Sequence, residues 1–359
     1  MQQIPESLKR ILKESKELLE EQSEASAHDA RELLLEHPDA AEVPLYHLML
    51  ARCAKLCGDV ESSIRHLEKA LELSPDNTTA LLVVAEYKLR KQKKEEAKEL
   101  LRRAKNSPEI QIEQIIKISQ LLAQADEIGE AVEFLQDAQA SRPNVQLLRK
   151  AYATSLKLAG LNESYEKETL LYLETQDLKE TVEDRLQLGK YYLSNKEYDK
   201  ALGVLTPLRS VHDQISKEKS KDLLFINLAL CYVKVDNKDR AREMLAMVKR
   251  NDTLMSNYVW SELQFAEGDI ENAFKSASAV KSMGTMKLKS AEIKSDTLQQ
   301  AASVSPSSEI ERSMIENRLS KIKAIGLDGL EDEMLENDSV SVRSFLDKYE
   351  YSIMIGVEG

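Results

Sequence analysis

Cys53 and Cys57 stand one helical turn apart, with His47 and His66 close by in sequence. A zinc site would need four such ligands converging on one point. Both cysteines fall in the first helix of a well-formed repeat, where small apolar side chains pack, so buried structural thiols are expected. Gly326-Leu327-Asp328-Gly329 lacks the Lys-Ser/Thr of a phosphate loop. No Gly-x-Ser-x-Gly elbow and no His-Glu-x-x-His pair occurs. His28, His37, His47, His66 and His212 have no neighbouring nucleophile, and carboxylate pairs such as Glu20-Glu21 and Glu95-Glu96 read as solvated helix faces. Trp260, the single Trp, is expected in a core rather than stacked on a ligand. The expectation is no enzyme, no metal and no cofactor.

The elements that would carry any function are helices. Of 359 residues, 31% are charged and 5% aromatic, with 11 Gly and 8 Pro. That balance favours helix over sandwich, barrel or collagen-like chains. A net charge of −12 argues against general nucleic-acid binding, which needs clustered cations. No apolar run approaches the ~20 residues that span a bilayer. Three cysteines are too few for a disulfide framework, and the opening Met1-Gln2-Gln3-Ile4-Pro5-Glu6 has no leader pattern. The cytoplasm is the expected compartment.

The chain repeats itself. A column of mostly small residues runs through Ser63, Ala97, Ala131, Tyr165, Ala201, Ala241 and Ala273, in steps of 34, 34, 34, 36, 40 and 32. A second small column holds Ala51, Ala85, Ser119, Ala153, Gly189, Ala229 and Ser261, each preceded by a larger side chain, from Leu50 to Trp260. Between the columns a turn carries Gly58, Gly160 or Gly268, with Asp126 or Asp236 elsewhere. Pro75, Pro108 and Pro143 close units. Two departures stand out. Tyr165 occupies a small-residue position, which predicts a splayed or shifted hairpin. The stretch from Arg209 to Ser220 is long, which predicts a lengthened helix or loop.

These columns resemble the tetratricopeptide-repeat family, best at Tyr46 to Pro75 with Leu50-Ala51, Gly58, Leu67, Ala70 and Pro75 in place. The resemblance covers roughly three quarters of the chain. It implies an all-α, right-handed superhelical solenoid of antiparallel helix pairs, here with a C-terminal helix and tail. It implies about eight units over residues 1–282, and a concave groove lined by first helices.

The groove columns hold Arg52, Lys55, Arg90, Lys117, Lys150, Lys157, Lys190 and Lys234, against the acidic Glu86, Glu113, Glu183 and Glu262. Polar positions include Gln120, Thr154 and Asn227. Ordinary solvated cations are one reading; a mildly basic groove for an acidic peptide, a carboxylate terminus or a phosphorylated segment is the other. Chaperone-binding relatives use a clamp of Lys at the fifth and Asn at the ninth position. Here the fifth positions are Leu48, Leu82, Ile116, Leu186 and Ile226, so the clamp is absent as a set. Those apolar residues suit a ligand with hydrophobic anchors, such as a helix.

Residues 283–307 read as a linker, and 308–326 as an amphipathic helix that either caps the array or docks a partner. Residues 327–359 form a tail. Its Tyr351 to Val357 has strand-like composition, compatible with disorder, an edge for pairing, or the start of a further domain. The functional expectation is a non-enzymatic scaffold or adaptor that binds a protein or peptide in the groove, without nucleic acid or membrane insertion. The alternative is a regulatory or targeting subunit of a larger complex, with the C-terminal segment docking to it.

Overall fold

A computed structural model describes residues 6–107, 110–301 and 335–356. Among these the chain is all-α: seventeen α-helices and two 3-10 segments. The helices are α1 (Glu6–Glu20), α2 (Glu24–Leu35), α3 (Pro44–Leu56), α4 (Val60–Leu73), α5 (Thr78–Arg90), α6 (Lys94–Lys105), α7 (Ile112–Gln124) and α8 (Ile128–Ser141). There follow α9 (Gln146–Leu158), α10 (Asn162–Glu174), α11 (Val182–Ser194), α12 (Tyr198–Leu205), α13 (Glu218–Lys234), α14 (Lys238–Ala246), α15 (Leu254–Glu267), α16 (Ile270–Ala301) and α17 (Ser339–Gly356). The chain divides into two compact units, Met1–Tyr172 and Leu173–Gly359.

The turn inside each repeat explains the period. Gly58, Gly160 and Gly268 have φ of 76°, 73° and 83°. At the same step, Gln92, Asp126, Lys196 and Asp236 take φ of 61°, 66°, 59° and 57°. The next backbone N–H then reaches back to the last helical turn, as Asp59 N to Ala54 O (2.8 Å), Lys93 N to Lys88 O (2.9 Å) and Asn237 N to Tyr232 O (2.8 Å). This closes one helix and aims the next back along it. Second helices start on side-chain caps where the sequence supplies one: Asp59 accepts from Ser62 N at 2.9 Å, and Asn237 from Arg240 N at 3.3 Å.

The two small columns meet inside the hairpins. Ser63 Oγ donates to Ala51 O at 2.8 Å, and Ser261 Oγ donates to Ala273 O at 2.7 Å. A hydroxyl can stand in the column because the facing carbonyl satisfies it. Among the described glycines, Gly189 alone has a close neighbour: a Cβ there would lie 2.6 Å from Leu205 Cδ2.

In unit 1, α1 packs on α2, α3 on α4, α5 on α6 and α7 on α8, while α3, α7 and α9 also touch the first helix of a neighbouring pair. Leu81, Val84, Leu101, Ile118, Leu121 and Leu122 form the continuous core between pairs. Tyr165, at the odd position, is 5% exposed, and Lys157 Nζ sits 5.4 Å from its ring centre. In unit 2, α11, α13 and α15 are the first helices, packed in that order, with α12, α14 and α16 behind them. Every residue from Leu224 to Val233 of α13 is buried, as its central position requires.

The long stretch before α13 lengthens both loop and helix. A 3-10 segment, Thr206–Gln214, follows α12, and α13 runs 17 residues. Asp222, 2% exposed, accepts from Lys249 N at 2.9 Å and Arg250 Nε at 2.7 Å, tying α13 to the loop after α14.

The C-terminal third differs from the sequence expectation in two places. The expected linker from 283 is helical as far as Ala301, since α16 continues without a break. Its Lys, Ala, Glu and Gln content favours helix, the first proline is Pro306, and Gly284 alone costs only about 1 kcal/mol. The expected tail instead carries α17, whose start is capped by Asp338 Oδ1, accepting from Val340 N (2.8 Å) and Ser341 N (2.9 Å). Helix runs through Gly356, across the segment of strand-like composition. The expected helix at 308–326 lies outside the described residues. Among the described residues, no helix is long and apolar enough to cross a membrane.

Candidate functional site

The first helices present their columns differently in the two units. In unit 1, a cleft of about 260 Å³ opens between α7 and α9. Ile116, Leu147 and Leu158 supply its apolar wall, and Gln120, Lys150 and Thr154 its polar groups. Leu147 and Leu158 are 57% and 58% exposed, so the cleft has uncovered apolar side chains at its edge. Lys150 Nζ also lies 5.7 Å from the ring centre of Tyr172 on α10, which holds the ammonium beside the cleft.

The other unit 1 columns are engaged within the chain. Arg52 donates to Leu19 O at 2.8 Å, covering a carbonyl at the end of α1. Glu86 accepts from Arg90 (3.0 Å) and from Lys117 (2.9 Å). Partial burial pushes the Glu86 carboxyl up, but the bonds and charges of Lys117 and Arg90 outweigh it and hold it below the usual carboxylate range. Lys157 rides on Tyr165. Lys55 is exposed. The structure therefore gathers Gln120, Lys150 and Thr154 into one cleft and draws Glu86, Arg90 and Lys117 into an ion network.

In unit 2 the first-helix face is occupied by α17, which packs on α11, α15 and α16. Val342, Phe345, Leu346 and Tyr349 point into the contact and are each at most 1% exposed. Their i, i+3, i+4, i+7 spacing is one helix face. At the centre lies Glu262 of α15, 2% exposed. Arg343 grips it with two bonds, Nη1 to Oε2 at 3.1 Å and Nη2 to Oε1 at 2.9 Å. Lys234 of α13 donates to Oε1 at 3.0 Å, and Tyr258 Oη at 2.8 Å. Burial pushes this carboxyl up, but the Arg343 and Lys234 interactions and the Tyr258 bond outweigh it, leaving it below its ordinary value of 4.5. Asn227 is buried, Lys190 half-buried, and Lys234 is taken up by Glu262. Sequence reading missed Arg343 and its apolar companions. Their helical spacing was visible, but nothing in it named Glu262 as the partner.

Two of the three thiols, Cys53 and Cys231, are buried. Burial pushes Cys53 up to about 11 and Cys231 up to about 12. His47 and His66 pair through their Nδ1 atoms at 3.3 Å, and His47 Nε2 meets Ala41 O at 3.1 Å, so the ring nitrogens of His47 face protein partners.

Residues 45–77, the α3–α4 hairpin with its closing turn, match the family model described as tetratricopeptide repeat. This segment is a tetratricopeptide repeat. Several solved structures are similar to the chain. One is YrrB, described as a TPR protein with an unusual peptide-binding site, at 16% identity over 62% of this chain and 93% of that one, TM-score 0.33. Another is pilF of Pseudomonas aeruginosa, at 15% identity over 68% and 92%, TM-score 0.35. A third is the Naa15/Naa10 complex bound to HypK-THB, at 14% identity over 96% of this chain and 56% of that one, TM-score 0.43. Comparison of the sequence with curated proteins finds no match.

Proposed function

We propose that this tetratricopeptide-repeat protein is a non-enzymatic scaffold of the cytoplasm that holds a peptide or protein segment against the first-helix face of unit 1. The supporting observation is the α7–α9 cleft, where Ile116, Leu147 and Leu158 remain open beside Gln120, Lys150 and Thr154. A concave, mostly apolar site with a few polar groups is what a small ligand surface needs. An apolar side chain of the peptide fills the cleft. Lys150 pairs with a carboxylate close to that anchor, and Gln120 and Thr154 bond its backbone. The groove cations outside the cleft contribute little, because Arg52, Arg90 and Lys117 already have partners within the chain.

Panning a displayed peptide library on the whole chain tests this. Selected peptides are expected to share an apolar anchor next to an acidic residue. The double substitution Leu147→Asp with Leu158→Asp is expected to weaken them at least tenfold in fluorescence polarisation, and Lys150→Glu several-fold. Arg52→Glu is expected to change affinity less than twofold. Equal loss in the Arg52 variant, or none in the Leu147/Leu158 variant, would sink the cleft as the binding site.

A further inference from the structure

His47 on α3 and His66 on α4 are joined by a hydrogen bond whose polarity the fold fixes. Their Nδ1 atoms are 3.3 Å apart and their ring centres 5.6 Å, so both nitrogens lie near the line between the rings and point at each other. That is the geometry of one proton held between two nitrogens. Among the described residues, no group of three His, Cys, Asp or Glu could hold a metal there instead. His47 Nε2 lies 3.1 Å from Ala41 O, an atom that can only accept, so Nε2 carries the ring proton. In the neutral ring Nδ1 is then the bare acceptor, and His66 Nδ1–H donates to it. Ala41 belongs to the 3-10 segment Pro38–Glu42, which packs on α2 and α3. His47 is 9% exposed, and its neighbours Ala40 and Tyr46 share a core with Leu19 of α1 and Leu34 of α2. One chain of hydrogen bonds thus runs from α4 through α3 to the segment that leads in from α2.

The pair takes one proton without loss and cannot take two. A first proton at His66 Nε2 leaves its Nδ1–H donating, now with a charge behind it. A second can go only to His47 Nδ1, the acceptor itself. Two N–H groups and two positive charges then face each other, and turning the His47 ring away sacrifices its bond to Ala41 O. The surroundings oppose charge as well. Burial, His47, and then Arg31 of α2 and Arg65 of α4 push the His66 imidazole below its ordinary value, against a weaker pull from Asp59 at the start of α4. We propose that His47 and His66 form a proton-operated latch, which holds the 3-10 segment on the α3–α4 hairpin and releases it on the second proton, so that acid loosens the junction between the first two helix pairs. An imidazole depressed in the folded chain contributes stability that is whole above its ordinary value of 6.5 and drains away as pH falls below it. The latch does not depend on the α7–α9 cleft.

Hydrogen exchange on the whole chain, corrected for the intrinsic pH dependence of exchange, reads the latch. The amides of Ala40, Val43 and Tyr46 are bonded to His37 O, Ala40 O and Val43 O. Their protection is expected to fall at least tenfold between pH 7 and pH 5, while that of α7 is unchanged. His66→Gln is expected to hold this protection flat, because an amide can donate to His47 Nδ1 or, turned over, accept from it. His37→Gln, beside the same segment, is expected to leave the loss as it is. No loss in the intact chain, an equal loss in His66→Gln, or a loss abolished by His37→Gln overturns the proposal. Should His66→Gln not fold, NMR of the imidazoles in the intact chain decides. A His47 ring with its proton on Nε2 at neutral pH and a His66 that titrates below 6.5 support the latch, whereas the opposite tautomer or a His66 at or above 6.5 overturns it. Protection of α17 stays flat down to about 4.5, which separates this step from protonation of Glu262.

Discussion

Glu262→Ala is expected to undock α17 and to destabilise unit 2 by about 3 kcal/mol, the lower end for breaking a buried ion pair. The carboxylate holds Arg343 and Lys234 together, and its own side chain is 3% exposed. Removing it leaves Lys234 and Arg343 side by side without their shared carboxylate, Arg343 keeping only the exposed Asp347 at 2.5 Å. Arg343 is 32% exposed and reaches water in part, which is why the lower end applies. Hydrogen exchange reads the effect directly: protection of the amides from Val342 to Tyr349 is expected to fall about a hundredfold. Glu271→Ala removes an exposed partner of Lys275 and is expected to change stability by less than about 0.5 kcal/mol. The pH dependence follows from the same geometry. The Glu262 carboxyl is depressed in the folded chain, so its stabilisation is complete above about 4.5, its ordinary value. It is lost only as pH falls through the lower folded value. Protection of α17 is therefore expected to be flat from neutral pH down to about 4.5 and to fall only as pH drops further, through the depressed folded value. A loss between pH 7 and 6 would place the switch on another group.

The second large effect is at Gly189. A Cβ there would meet three atoms of Leu205 at 2.6, 2.7 and 2.9 Å. Gly189→Val adds that Cβ and two methyl groups against the buried Leu205 side chain, which must shift or push the two helices apart. The expected cost is about 3 kcal/mol, the upper range for overpacking. For a unit of this size that lowers the melting temperature by roughly 6–12 °C, readable by calorimetry. Gly203, on α12, has nothing within 4 Å of its Cβ position. Gly203→Ala is therefore expected to stabilise by up to about 1 kcal/mol through helix propensity alone. The opposite signs at two helical glycines of adjoining helices separate close approach from mere flexibility.

The sequence by itself determined the repeat. Small residues twelve apart, such as Ala85 and Ala97, must face each other in any antiparallel hairpin with this turn, and the left-handed residue between them sets the turn. These relations are local, so each 34-residue segment encodes its own hairpin, and the family resemblance at Tyr46 to Pro75 rests on the same positions. The left-handed turns at Gln92 and Lys196 were harder to read, because neither residue prefers that conformation; the closing backbone bonds and the packed hairpin impose it.

Tertiary structure decided which groove columns are open. Sequence placed Arg52, Arg90, Lys117 and Lys234 on one face and could not say that Leu19 O, Glu86 and Glu262 would engage them. It listed Gln120, Lys150 and Thr154 with the rest, though these are the ones that line a cleft. Most of all, Arg343 meets Glu262 across 81 residues. Local propensity favoured a tail there, since a short amphipathic helix is marginal alone and gains its stability only when its apolar stripe finds a matching face. That match is a property of the assembled helices α11, α15 and α16, and no window of sequence contains it.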